Sequence, residues 1–320
     1  MAEGNANFLF EAFEKRWDDF QVRFKLYRHE PSEESVHDLR VASRRFLSII
    51  ELIRGVAPHP RLQRMRKYYK DQLNSYDELH DTQVMIVEIE EVLEDFPDAE
   101  PFLTYLEKRE KRLMRAAEKK ADLVQLGNLR KRVNVIVKDI ESLAAKDPQL
   151  NEHLLRVVDD AYLLVKDRAE ILDPSQVATI HRLRIAFKKF RYLIEIVFPI
   201  VPEFPKETFE RMHDLQSVMG EIHDVEVLLS SLEDYGENQT GFESAALRAY
   251  FQQVHAQDIE LFYQNVACVT SFWRPAPSRT FPWVAPGKLP ALCAESVPLP
   301  ERAKKPRNRA IKTPDVDKIN

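Results

Sequence analysis

Glycine is scarce, with seven residues in a chain of 320. No segment alternates β-branched and polar residues for long, so a sheet-rich fold is set aside and an all-α chain is expected. Cysteine is nearly missing too. Cys268 and Cys293 make neither a CxxC spacing nor a framework, which suits buried or free thiols in a reducing compartment. No run approaches the roughly 18 apolar residues of a membrane span. The opening MAEGNANFLFEAFEKRW lacks a basic stretch leading into an apolar core, so no signal peptide is expected. A cytoplasmic protein that does not engage a membrane fits these absences.

What is present is charge, unevenly placed. At 44% hydrophobic and 31% charged residues the composition is that of a soluble globular protein. The formal net charge is −5. From Arg274 onward ten Lys/Arg face four Asp/Glu, which leaves residues 1–273 with 37 basic and 48 acidic side chains. An acidic body is a poor general binder of nucleic acid, so any anion must be held by a local stripe of cations.

Apolar periodicity places the elements. Phe10, Phe13, Trp17, Phe20 and Phe24 mark a helix over about 8–27. EPSEES then supplies a break, with Ser32 as cap and Glu33 and Glu34 suited to the N-terminus of a helix that ends near Gly55. A further helix covers about 62–96, broken near its middle, and a charged pair hinged around Gly127 fills 101–146. The plan then restarts. NEHLLRVVDDAYLLVKDRAEIL matches the opening helix, DPSQVAT repeats the Pro-plus-cap break, and a second basic helix runs to about Val197. KETFERMHDLQSVMGEIHDVEVLLSSL and a last helix over about 243–270 complete the body. The segment 274–320 holds nine of the 19 prolines and is expected to be extended or disordered. Trp273, Phe281 and Trp283 at its root leave two courses open: docking on the body, or joining the tail.

The restart is an internal repeat. VHDLRVASRRFLSIIEL (36–52) aligns with IHRLRIAFKKFRYLIEI (180–196) at an offset of 144, with seven of 17 positions identical. Downstream, ELHDTQV (78–84) echoes EIHDVEV (221–227), and the two histidine intervals are 43 and 42 residues. Such a period implies two similar helical halves, 1–146 and 147–273, related by a pseudo-twofold axis.

On a wheel of 100° per residue, Leu39, Ala42, Phe46, Ile49, Ile50 and Ile53 form the apolar side of the first repeated helix. His37, Arg40, Arg44, Ser48 and Glu51 fall opposite. His181, Arg184, Lys188, Tyr192 and Glu195 occupy the same stripe in the second copy, flanked by Lys189 and Arg191, as Arg45 flanks the first. A solvated face is the ordinary meaning of such a stripe. Its recurrence, with no acid before Glu51 and Glu195, favours two stripes facing one cleft, where Arg40, Arg44, Arg184 and Lys188 would need an anion. His80 and His223 recur in the helices that lead back along each half. Beside phosphates their protonated forms would be favoured, making them pH-sensitive donors.

These motifs resemble the two halves of a CHAD domain, the conserved-histidine α-helical domain, over about 8–270. The resemblance implies two four-helix bundles related by a pseudo-twofold, and inorganic polyphosphate held in a basic cleft between them. Association with polyphosphate granules is implied as well. It assigns His37, Arg40, Arg44 and Arg45 in the first motif, and His181, Arg184, Lys188, Lys189 and Arg191 in the second, while His80 and His223 join the expected site by their own recurrence. Neither a cofactor nor a catalytic residue is implied. Three departures stand out. The family often has a basic residue at the place of Leu47 and an Arg at that of His80. The glycine it favours before that segment is kept as Gly220 but replaced around Tyr76 and Asp77, and close helix approach is the expected reason for Gly220. No CYTH-like strand-rich segment, found beside some members, is seen here.

Other readings remain. Four His-Asp doublets (His37-Asp38, His80-Asp81, His213-Asp214, His223-Asp224) suggest a metal-dependent phosphohydrolase. Against that, Asp38 lies about 100° around the helix from His37, and Arg182 replaces it in the repeat. A helical scaffold with REKRLMRAAEKK as a solvated or partner-binding face is the third reading. The stripe's lack of aromatics, Tyr192 apart, makes nucleic acid a poor fit.

Overall fold

The computed structural model describes residues 2–239 and 242–284. Those residues form ten α-helices and no strand. The helices are α1 (Ala2–His29), α2 (Glu33–Val56), α3 (Pro60–Asn74), α4 (Asp77–Val92), α5 (Glu100–Asp122), α6 (Leu126–Lys146), α7 (Leu150–Glu170), α8 (Ala178–Val197), α9 (Glu207–Asn238) and α10 (Ala245–Asn265). Short 3-10 turns sit at Pro97–Ala99, Phe198–Ile200 and Val266–Ser271.

The boundaries have local causes. Ser32 Oγ accepts from Ser35 N at 3.2 Å while Ser35 Oγ accepts from Ser32 N at 2.8 Å, closing a reciprocal cap on α2. The second break works differently: α8 begins without a side-chain cap. Asp173 organises that turn instead, accepting from the backbone and hydroxyl of Ser175 and from Gln176. The break expected inside 62–96 falls at Ser75–Tyr76, whereas α9 runs unbroken through the corresponding region. The hinge between α5 and α6 is at 123–125, and Gly127 lies just inside α6.

In α1 the buried face is Leu9, Phe13, Trp17, Phe20, Phe24 and Tyr27, while Phe10 is half-buried, so Leu9 takes the place expected of Phe10. Trp17 and Phe20 pack against Phe46 of α2, and Tyr69 of α3 meets Phe20 and Phe46 edge-on at 5.1 and 4.9 Å. The apolar faces of α2 and α8 do not build separate cores. Phe46 and Ile49 share one cluster with Leu183, Phe187 and Phe190, together with α1, α3, α6 and α7. A second, smaller cluster joins α4 and the start of α5 to the far half of α9 and to α10, through Ile89, Phe102, Leu228 and Phe251.

Helices α4 and α9 pass from one cluster to the other. Leu79 and Ile222 belong to the first, Met85 and Val225 to the second. His80-Asp81 and His223-Asp224 lie at that crossing. A polar waist thus separates two apolar masses.

The root of the tail is docked. Trp273 is fully buried, with Nε1 donating to Asp159 Oδ1 at 2.8 Å, and Arg274 holds both oxygens of the same carboxylate at 2.8 and 2.6 Å. Phe281 and Trp283 stack at 4.9 Å, and Trp283 Nε1 donates to Pro202 O. Cys268 is half-buried. Of the segment 274–320 expected to be extended or disordered, residues 274–284 form this docked root, and 285–320, with Cys293, lie outside the described residues.

Gly55 sets the approach of α2 to α7. A Cβ there would stand 2.7 and 2.9 Å from the two methyls of Val157, a stiff β-branched residue. Alanine normally stabilises a helix interior over glycine by about 1 kcal/mol. Here overlap wins, and Gly55→Ala is expected to destabilise by about 1–3 kcal/mol. Adding Val157→Ala should restore a large share of the melting temperature, and an unchanged Gly55→Ala melt would contradict the close approach.

Candidate anion-binding site

Helices α2 and α8 lie side by side, with Arg45 Nε 3.7 Å from Glu195 Oε2 across the contact. Their stripes turn toward the waist, where α4 and α9 meet them. In each half the leading histidine of the basic helix packs on the histidine of the downstream doublet. The ring centroids are 5.9 Å apart for His37 and His80 and 4.7 Å for His181 and His223. The stripes and doublets that the sequence suggested therefore do converge.

The cations crowd one another. Lys188 lies among Arg44, Arg184 and Arg40, and is within 4 Å of no carboxylate among the described residues. Burial, and then those three arginines, push its ammonium down to about 6. Arg40 is 4% exposed, the most buried charge of the group. Burial depresses it first and Arg44 second, with Asp77 opposing both. Arg184 is depressed by burial and by Arg44, against the pull of Asp224 and Asp81. The Nε atoms of Arg40, Arg184 and Arg191 are buried without a hydrogen bond.

Sequence reasoning missed the acids. The stripe itself carries none before Glu51 and Glu195, but α4 and α9 bring Asp77, Asp81 and Asp224 against it. Arg40 Nη1 donates to Asp77 Oδ1 at 2.5 Å, and Arg44 Nη2 lies 3.9 Å from the same oxygen. Asp81 is raised by burial and by Asp77 despite Arg40 and Arg184. Asp224 is pushed up to about 6, with burial the main cause, Asp81 and Glu221 adding to it, and Arg184 and Lys188 resisting. For Asp81 and Asp224 the signal was in the doublets, where each histidine toward the stripe carries an aspartate with it; Asp77 lies outside them and left none.

In the free site the histidines are held toward their neutral forms. Burial, then Arg40 and Arg44, hold His80 down to about 3, and burial with Arg184 and His181 holds His223 to about 4. His181 is lowered by burial and Arg184. They are neutral at pH 7, and only an added anion would favour their charged forms.

The remaining residues sort by geometry. Arg191 Nη2 lies 3.3 Å from Glu195 Oε1, so Arg45 and Arg191 converge on one glutamate rather than on open cleft. Lys189 is exposed at the edge, as are His37 and Arg45. Glu51 is taken by Arg66 at 2.8 Å. Asp38 pairs with Arg23 at 2.7 Å, so of that doublet only His37 meets the waist, and His213 bonds Ser217 one turn along α9. Within the charged α5, Arg109 binds Glu78 and Glu110 accepts from Gln83 Nε2, while most neighbours are exposed. Gly220 was expected to permit close helix approach, but a Cβ there would meet nothing within 4 Å. Open space, not packing, surrounds it. Among the described residues no three His, Cys, Asp or Glu side chains gather as a metal site would need. Nor is any described helix long and apolar enough to cross a membrane.

A family model for the CHAD domain matches residues 11–233. The chain belongs to the CHAD domain family. The crystal structure of the CHAD domain from the plant Ricinus communis is similar, at 15% identity and a TM-score of 0.63, covering 84% of this chain and 91% of that one. PptA from Streptomyces chartreusis is similar at 14% identity and a TM-score of 0.53, covering 84% of this chain and 99% of that one. These likenesses concern the fold. No curated protein matches the sequence. In this CHAD domain the waist is therefore built on a fold the family shares.

The depressed imidazoles are directly observable. A pH titration followed by histidine ring NMR should find His80 and His223 still neutral at about pH 5.5 in the ligand-free protein. Ordinary titration of both near 6.5 would show that the waist is more hydrated than its packing indicates.

Proposed function

We propose that this protein is a binding module for inorganic polyphosphate, and not an enzyme. The observation that carries the reading is Lys188, a lysine crowded by Arg40, Arg44 and Arg184 and left without a carboxylate contact. Confining like charges in a partly dry waist is unfavourable unless something neutralises them. A flexible chain bearing about one charge per phosphate can do that along both stripes. Guanidinium forks suit phosphate oxygens, and neutral imidazoles at His80 and His223 can acquire protons as the anion arrives. The polymer would run from the exposed edge at Lys189 and His37 into the waist. Neither nucleic acid nor a membrane is proposed as a partner; a granule of the same polymer is, in the cytoplasm.

Proton uptake should accompany binding. Lys188 and Asp224, both near 6, and His223, near 4, are largely unprotonated at pH 8. A polyanion beside them raises each value, so the complex binds more protons than the free protein. Affinity is therefore expected to rise as pH falls from 8 to 6. Calorimetry at pH 7 in two buffers of different ionisation enthalpy should register net uptake. An affinity flat across that range would contradict the role of Lys188.

Titration with long-chain polyphosphate at two salt concentrations tests the reading, with a single-stranded oligonucleotide of matched charge as control. Strong, salt-sensitive preference for polyphosphate is expected. Arg184→Gln with Lys188→Gln, or Arg40→Ala with Arg44→Ala, should lower the slope of log K on log salt by roughly one to two units and remove most of the affinity. Equal binding of both polymers, or unchanged affinity in both double variants, would overturn the proposal.

A further inference from the structure

The two halves of the waist carry the same cations but not the same acids. Counting from His80 and His223, which stand 143 residues apart, Asp77 of α4 corresponds to Gly220 of α9. In the first half Asp77 is clamped on Arg40 at 2.5 Å and faces Arg44 at 3.9 Å. In the second half no side chain stands at that place, and a Cβ at Gly220 would meet nothing within 4 Å. Arg184, the counterpart of Arg40, is within 4 Å of no carboxylate among the described residues, and its Nε makes no hydrogen bond. Asp224 and Asp81 pull on Arg184 from beyond ion-pair distance, and burial raises both carboxyls toward neutrality, so neither clamps it as Asp77 clamps Arg40. Glu78 is held by Arg109 at 3.0 Å, and Glu221 acts on Asp224.

A carboxylate on a guanidinium makes the same charge-assisted bond that a phosphate oxygen would make. We infer that Asp77 is a built-in competitor: it occupies the anion position on Arg40 and Arg44, so that phosphate engages Arg184 and Lys188 first and gains the first half only by displacing this carboxylate. The inference rests on the polyphosphate reading and deepens it into chain-length selection. Asp77 is placed to leave, since its side chain is 45% exposed and it begins α4 directly after the Ser75–Tyr76 break. A short chain satisfied by Arg184 and Lys188 gains little by evicting it. A long chain brings further phosphates to the first half at high effective concentration and can drive the exchange. Asp77 thereby favours long polymers over short ones.

The experiment exchanges the two positions in the full chain. Asp77→Gly gives α4 the open arrangement of α9, Asp77→Asn removes the charge at nearly constant shape, and Gly220→Asp places a carboxylate in the open half. The probes are tripolyphosphate and long-chain polyphosphate, titrated at fixed pH and salt, with circular dichroism as the folding control. Both Asp77 variants should bind tripolyphosphate roughly tenfold tighter, with a smaller gain for the long chain, and Gly220→Asp should weaken both by a similar factor. Should Asp77→Gly fail to fold, Asp77→Asn and Gly220→Asp still decide the matter. Wild-type protein that binds while the Asp77 variants bind equally or more weakly would overturn the competitor and leave the polyphosphate reading standing. Failure of every form, wild type included, to bind either probe would overturn both.

Discussion

Mutual repulsion among buried cations is the constraint on which this structure turns. Arg40, Arg44, Arg184 and Lys188 are drawn into one waist by helices whose opposite faces are committed to the apolar core. The core cannot let them spread, because rotating α2 or α8 would expose Phe46 or Phe190. Each buried large side chain of that kind contributes about 1.5–3 kcal/mol relative to exposure. The charges respond where they can, through depressed protonation at Lys188 and the histidines and through the carboxylates that α4 and α9 supply. The waist therefore keeps a surplus of crowded cations that its own carboxylates only partly offset.

Compensation is unequal between the halves. Three aspartates meet the four cations, yet two of them, Asp81 and Asp224, are themselves pushed toward neutrality by burial. Only Asp77 makes a short, half-exposed ion pair. The basic helix and the His-Asp doublet recur in the sequence, but Asp77 is matched by Gly220, and it is Asp77 that sits on a buried guanidinium. Glu195 plays a quieter part: it ties Arg45 of α2 and Arg191 of α8 to one carboxylate, and so fixes the two stripes in register.

The apolar framework explains why this geometry is rigid. Aromatic contacts run from Trp17 and Phe46 to Tyr69 on one side, and from Tyr162 and Phe190 to Trp273 on the other. The segment after α10 folds back to close the second side, with Asp159 satisfied by Trp273 and Arg274 together. A buried carboxylate without those partners would be costly, so the docked root is a condition of the core and not an ornament on it.

Sequence alone determined the helices, most of their ends and the identity of the basic stripe, because periodicity, Ser32 and the prolines act within a few residues of chain. It also determined that His37 and His80, and His181 and His223, belong together, since the repeat kept both members in both copies. Composition left the fate of Trp273 and Phe281 open, because docking depends on Asp159, 114 residues away from Trp273. The tertiary structure alone decided that α2 and α8 share one core, that Arg40 is buried, and that Asp77, Asp81 and Asp224 face the stripe. Those facts depend on which helix crosses which, and charge carried by a neighbouring helix leaves no mark on the periodicity of the helix it neutralises.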